Sequence, residues 1–241
     1  MIKVYEDLEA NFTGKKLLLI QACGIDSEID ECKMVGTLCS MYGIEVSCLV
    51  ANSNQELIDD LMSIKEPYDY VYLSSHGNVR GFGNQTETID MEWLDFSSLI
   101  CESMILSEDC KIFMSCCRGG LDEVAYSLFY CCDKISYVIG PRQSLTSIEM
   151  ITAFNTFLFN IEWRRMDAVV ACKKIESGVE LRFKCFDKLE TYPESEYQTF
   201  SQNADAYFKQ LQIEEENKLR GIEPGEITKV EVFPRRPEIT E

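Results

Sequence analysis

The 241 residues are enough for one α/β domain with a full core and a small appendage. A net charge of −18 argues against a nucleic-acid partner, which normally leaves a basic footprint, and it favours solubility and the steering of basic partners. The 12 cysteines sit largely in apolar runs, as at Cys48, Cys110, Cys116 and Cys172, with neither a disulfide framework nor a Cys-x-x-Cys zinc pair, and read as buried small hydrophobes of a reducing compartment.

Residues 1–7 are charged and lack the apolar stretch of a signal peptide. No run reaches the roughly 18 apolar residues of a spanning helix. A cytoplasmic protein without membrane contact is expected. Residues 15–23 form a continuous apolar run closed by Gly24, the pattern of a strand buried on both faces. Helical spacing follows over 27–42 and stops before Gly43. A second strand is expected over 44–51, then an amphipathic helix over 54–64 capped by Asn54. The third strand, 68–74, delivers His76, the chain's only histidine.

The polar stretch 78–90 reads as a loop or short hairpin, and 91–103 as a short strand and a helix. Residues 110–115 form the fourth strand, with Cys116–Gly120 at its carboxyl end. A helix over 121–131 leads to a fifth strand, 135–140, stopped by Pro141. Residues 147–163 are apolar around most of a helix circumference and read as one long buried helix. A further helix is expected over 167–175 and a last strand over 179–186. Residues 187–197 turn acidic and polar. Beyond them come a helix over 200–219, with Phe200, Tyr207, Phe208, Leu211 and Leu219 on its apolar face, an edge strand over 227–233 and a loose tail. Alternating strands and helices imply a parallel sheet covered on both faces. We place the boundary between this domain (1–186) and the appendage (187–241) at that change of character.

In open α/β sheets, ligands bind outside the carboxyl ends of the strands. Two segments with reactive side chains fall there: Ser74-Ser75-His76-Gly77 and Ser115-Cys116-Cys117-Arg118-Gly119-Gly120. A cysteine attacks as thiolate, and a nearby imidazole can take and return its proton. Glycine after the histidine lets backbone approach a substrate carbonyl. The glycines after the cysteine suit a tight strand-to-helix turn, with the positive end of the next helix nearby. Signatures of other enzymes fail: there is no Gly-x-Ser-x-Gly, no Walker A loop and no Gly-x-Gly-x-x-Gly. A nucleotide-binding Rossmann protein is disfavoured accordingly, and one histidine makes a His-based metal site a poor reading. Gln21-Ala22-Cys23-Gly24 looks like a nucleophile motif, but no histidine precedes it.

Over about residues 15–186 the chain resembles the clan CD cysteine peptidases, the caspases and the caspase-like CHAT domains. Caspases carry Gln-Ala-Cys-Arg-Gly after a hydrophobic strand, and CHAT domains a Ser-Ala-Cys segment followed closely by glycine. Cys117 follows His76 by 41 residues, near the roughly 50 found in caspases. The resemblance implies a caspase-like three-layer sandwich and a cysteine endopeptidase. Cys117 would be the nucleophile, His76 the general acid and base, and the Gly77 and Cys117 N–H groups the oxyanion hole; no cofactor would be needed for the chemistry.

Ser115 stands where caspases have glutamine. For the P1 side chain, Arg142 is a candidate for binding an acidic residue, Asp122 or Glu123 for a basic one, and Asp26 for lining the cleft. No long cleavable linker follows Cys117. Triggering by a sensor protein or signalling nucleotide is therefore expected rather than self-cleavage, with a protein or peptide as substrate. Family analogy adds defence or cell death as the setting and homo-oligomers as an option. The alternative is an inactive caspase-like module that binds a partner in the same cleft.

Overall fold

A computed structural model describes residues 13–22, 24–220 and Val232. The chain divides into two compact units, residues 1–188 and 189–241. In the first, a six-stranded sheet runs in the order β2-β1-β3-β7-β8-β9. Its strands are β1 (Lys16–Gln21), β2 (Glu45–Val50), β3 (Tyr68–Ser74), β7 (Leu106–Ser115), β8 (Ile135–Pro141) and β9 (Phe183–Asp187). All neighbours pair parallel except β9, which runs antiparallel to β8.

Helices cover both faces, giving a three-layer α/β sandwich. One face carries α1 (Asp26–Met41), α5 (Ser147–Leu158) and α6 (Ala168–Val179). There Leu17, Leu19, Tyr72, Phe113 and Ile139 from the strands meet Val35, Phe154, Phe157 and Ile175 from the helices in one apolar core. The alternate strand residues Leu18, Ile20, Leu73, Ile112 and Val138 are equally buried. By the two-residue period of a strand they face the other layer, made of α2 (Asn54–Ser63), α3 (Trp93–Glu102) and α4 (Asp122–Cys131). Residues buried on both faces explain why the central strands read as unbroken apolar runs.

Several boundaries differ from expectation. Ser53, not Asn54, caps α2, its hydroxyl accepting from the Glu56 N–H. Asn54 instead uses its amide twice on Asp90, donating to the carbonyl oxygen at 2.8 Å and accepting from the N–H at 3.1 Å. The polar stretch after His76 forms a second, three-stranded antiparallel sheet of β4 (His76–Gly77), β5 (Gly81–Gly83) and β6 (Asp90–Glu92). β7 begins at Leu106, four residues early, because a left-handed residue at Asp109 (φ 61°) and a register shift at Cys110 break its apolar pattern.

Pro141 does not stop β8 but ends it in pairing with Phe183. The long helix expected over 147–163 is α5 followed by a π-helical turn, Phe159–Trp163, which tucks the Glu162 carboxylate inside against Lys15 at 2.7 Å and the Tyr70 hydroxyl. The last strand is shorter than 179–186 because α6 runs on through Val179 and ends on a left-handed Glu180 (φ 58°).

The second unit contains α8 (Ser195–Leu219), preceded across the boundary by the short α7 (Lys188–Thr191). Of the expected apolar face of α8, Phe200 is buried while Leu211 and Leu219 are exposed; Tyr197 and Ala204 are buried instead. The expected strand over 227–233 lies outside the described residues except for Val232, and Cys23 also lies outside them. Among the described residues, no helix is long and apolar enough to cross a membrane.

Phe113 is the hinge of the aromatic packing, its ring 4.9–5.9 Å from those of Tyr72, Phe154, Phe157 and Phe183. Phe113→Ala should lower unfolding stability by about 3–5 kcal/mol, read from the urea midpoint. Ile148→Ala, at a side chain that is largely exposed, should change it by no more than about 0.5 kcal/mol.

Candidate active site

The site follows from the register of two strands. β3 and β7 are parallel neighbours with Ser74 opposite Ser115, and the Ser75 N–H donates to the Ser115 carbonyl at 3.2 Å. His76 and Cys117 each stand two residues beyond that last pair, so they leave the same edge of the sheet side by side. Backbone contact continues past the strands. A Cβ on Gly77 would lie 2.5 Å from the Cys117 carbonyl oxygen and 3.0 Å from the Cys116 Cβ, so only glycine fits at that point.

Gly77 is also placed to donate. Asn78 N–H bonds the Gly81 carbonyl at 2.9 Å, and Gly77 and His76 are the next positions along the β4–β5 pair. Hydrogen-bonded and non-bonded pairs alternate in an antiparallel ladder. Gly77 therefore falls on a non-bonded pair, and its N–H points away from β5. The loop between β4 and β5 is held by Asn78, whose side-chain oxygen accepts from the N–H groups of Arg80 and Gly81 and whose carbonyl accepts from Trp93 Nε1.

After Cys117 the chain turns sharply on a left-handed Arg118 (φ 65°). Gly119 N–H donates to the Cys116 carbonyl at 3.0 Å, and Gly120 N–H to the Pro141 carbonyl at 2.9 Å. Gly120 lies against Gly140 backbone, where a Cβ would come within 2.1 Å of the Gly140 oxygen. A non-glycine residue held left-handed stores strain of order 1–3 kcal/mol, the kind found at functional turns. The two cysteines separate clearly. Cys116 is buried between the two glycine turns, and burial pushes its thiol pKa well up. Cys117 is partly exposed. α4 begins five residues later, and its first turn already carries Asp122 and Glu123.

Beneath the edge lies a carboxylate the sequence reading passed over. Glu31 of α1 is buried, and its Oε1 accepts from Ser115 Oγ at 2.6 Å, Tyr72 Oη at 2.9 Å and Ser74 Oγ at 3.2 Å. Burial raises its pKa above the ordinary 4.5, outweighing the hydroxyl bonds that pull it down. One turn nearer the start of α1, Glu28 is buried with its Oε1 3.4 Å from His76 Nε2.

The proposed substrate-binding residues are dispersed. Ser115 is buried with its hydroxyl on Glu31, so it serves the floor of the site rather than the cleft. Asp26 is exposed at the start of α1, on the far side of β3 from the cysteine turn. Arg142 and Asp122, the two rivals for P1 recognition, form a single cluster. Asp122 Oδ1 is 2.7 Å from Lys184 Nζ and 3.8 Å from Arg142 Nη1, which also reaches the Gly120 carbonyl at 3.4 Å. Glu123 sits beside them in the first turn of α4, half-buried, its carbonyl accepting from Ser127 Oγ. Among the described residues, no group of three or more His, Cys, Asp or Glu side chains could hold a metal ion. Neither protein-family models nor curated proteins give a match to the chain.

A carboxyl whose pKa is higher folded than unfolded takes up a proton on folding. Its contribution then favours the fold at low pH and is lost as pH rises from the unfolded value through the raised folded one. For Glu31 that window opens at about 4.5 and extends upward. The unfolding free energy of Glu31→Gln, minus that of the wild type, should therefore increase as pH rises through the window. Paired urea titrations at several pH values measure the difference.

Proposed function

We propose that the chain is a caspase-like cysteine endopeptidase working with a His76–Cys117 dyad. The observation that carries this reading is the in-register pairing of β3 with β7, which sets the imidazole and the exposed thiol at one sheet edge with glycine backbone between them. The burial of Cys116 leaves Cys117 as the thiol a substrate can meet.

In this reading the Cys117 thiolate attacks the scissile carbonyl carbon. The developing oxyanion is met by N–H donors, of which Gly77, turned away from β5, is one. The tetrahedral intermediate expels the amine, which takes a proton from the His76 imidazolium and leaves a thioester on Cys117. His76 then removes a proton from water, and hydroxide attack releases the acid and restores the thiol. No cofactor takes part. The substrate is a specific protein, the protein acts in the cytoplasm, and a ligand or sensor protein triggers it.

Labelling with a panel of peptide acyloxymethylketones, mapped by mass spectrometry, tests this. Modification is expected at Cys117 and not at Cys116, and should fall on the order of 10²-fold or more in His76→Ala. Labelling should be carried out both on the isolated protein and in stressed lysate of its source cell. Absence of Cys117 labelling in both would favour an inactive, partner-binding module. Gly77→Ala should abolish labelling, because its Cβ would collide with the Cys117 carbonyl; circular dichroism should show the fold retained.

A further inference from the structure

The immediate surroundings of His76 are more specific than a dyad requires. Its side chain is 43% exposed, yet Nε2 is fully buried. The imidazole therefore turns its Nε2 end inward, and its exposed surface lies on the rest of the side chain. Facing Nε2 is Glu28, whose side chain is only 10% exposed. Among the described residues, neither His76 Nε2 nor Glu28 Oε2 has a hydrogen-bond partner. Two buried polar atoms left without partners are costly. Here they lie next to one another, with Nε2 3.4 Å from the other Glu28 oxygen. That is longer than the 2.7–2.9 Å of a charge-assisted hydrogen bond. Catalytic hydrogen bonds in unliganded enzymes are often long in this way and close on substrate binding.

The backbone explains why Glu28 stands there. Ser74 and His76 are two residues apart on the strand direction, a rise of about 6.6 Å. Glu31 and Glu28 are three apart on α1, about 4.5 Å along its axis and on the same face. α1 runs back from the carboxyl edge of the sheet. A helix whose Glu31 meets the Ser74 hydroxyl thus carries Glu28 up to the level of His76. Glu31 is fixed by hydroxyls from β3 and β7, so the position of Glu28 is set by bonds one turn away.

We propose that Glu28 is the positioning residue of the His76 base. Its carboxylate accepts a hydrogen bond from Nε2–H, holds the neutral ring as the Nε2–H tautomer, and leaves the Nδ1 lone pair for the Cys117 thiol. When the ring takes up the thiol proton at Nδ1, both nitrogens carry hydrogen and the Glu28 carboxylate balances the imidazolium charge. No atom is transferred to Glu28. This rests on the peptidase reading of the dyad, which it deepens by adding a third member.

The chain's single histidine makes the test direct, since in tag-free, ¹⁵N-labelled protein every imidazole nitrogen signal belongs to His76. In the neutral ring of the wild type, Nε2 is expected to carry the proton. In Glu28→Gln the tautomer preference should weaken, and Cys117 labelling by peptide electrophiles should slow by about tenfold or more. Glu28→Asp keeps the charge and should recover part of both effects.

An unchanged tautomer and an unchanged labelling rate in Glu28→Gln would overturn the assignment. So would an unmoved tautomer with labelling lost only for probes bearing Arg or Lys at P1, which would place Glu28 in the substrate pocket. A Glu28-dependent tautomer with no Cys117 labelling by any probe, in isolation or in lysate, would leave the pair standing and remove the peptidase reading instead.

Discussion

A single buried carboxylate, Glu31, ties together the parts on which the site depends. Its Oε1 gathers hydroxyls from two successive outward steps of β3, Tyr72 and Ser74, and from the end of β7 at Ser115. A charge taken from water is tolerable only when such donors replace the lost hydration. Here the donors come from the two strands that carry the histidine and the cysteine. The need to satisfy one buried carboxyl group therefore aligns the strand ends and anchors α1 against them. The relative height of His76 and Cys117 above the sheet is a by-product of that arrangement.

The two halves of the site are supported differently. On the cysteine side, Gly119 and Gly120 lie directly on Gly140 and Pro141, backbone against backbone, and Arg118 is held left-handed. Little of this turn can move without breaking the contact with β8. On the histidine side the support is polar and local: Ser75 Oγ bonds the Gly83 carbonyl, and Asn78 fixes the following loop. Cys117 is thus tied to the main sheet, whereas His76 belongs to a small accessory sheet.

The sheet was legible in the sequence because its central strands are apolar runs, and the juxtaposition of His76 with Cys117 because two neighbouring runs end in small residues followed by these side chains. The periodicity of residues 16–21, 68–74 and 110–115 leaves little room for another reading. Glu28 and Glu31 were missed for a definable reason. With Cys32, Val35 and Cys39 they complete the buried stripe of α1, but acidic residues early in a helix ordinarily signal only its N-terminus. The signal was their position in that stripe, at the spacing of the apolar residues. Other errors also have physical causes. Glu180 ends α6 left-handed with no glycine to announce it, and the π-turn after Leu158 has no signature in an apolar pattern that continues through it.

Because β4 consists of His76 and Gly77 themselves, the proposed base and oxyanion donor form the first strand of the small sheet. That sheet is fastened at its other edge to the start of α2, through Asn54 on Asp90 and the Thr88 hydroxyl on the Asn52 carbonyl. The small sheet thus links His76 at one edge to residues 52–54 at the other. A ligand or partner held at residues 52–54 would act on His76 and Gly77 through the hydrogen bonds of that one small sheet.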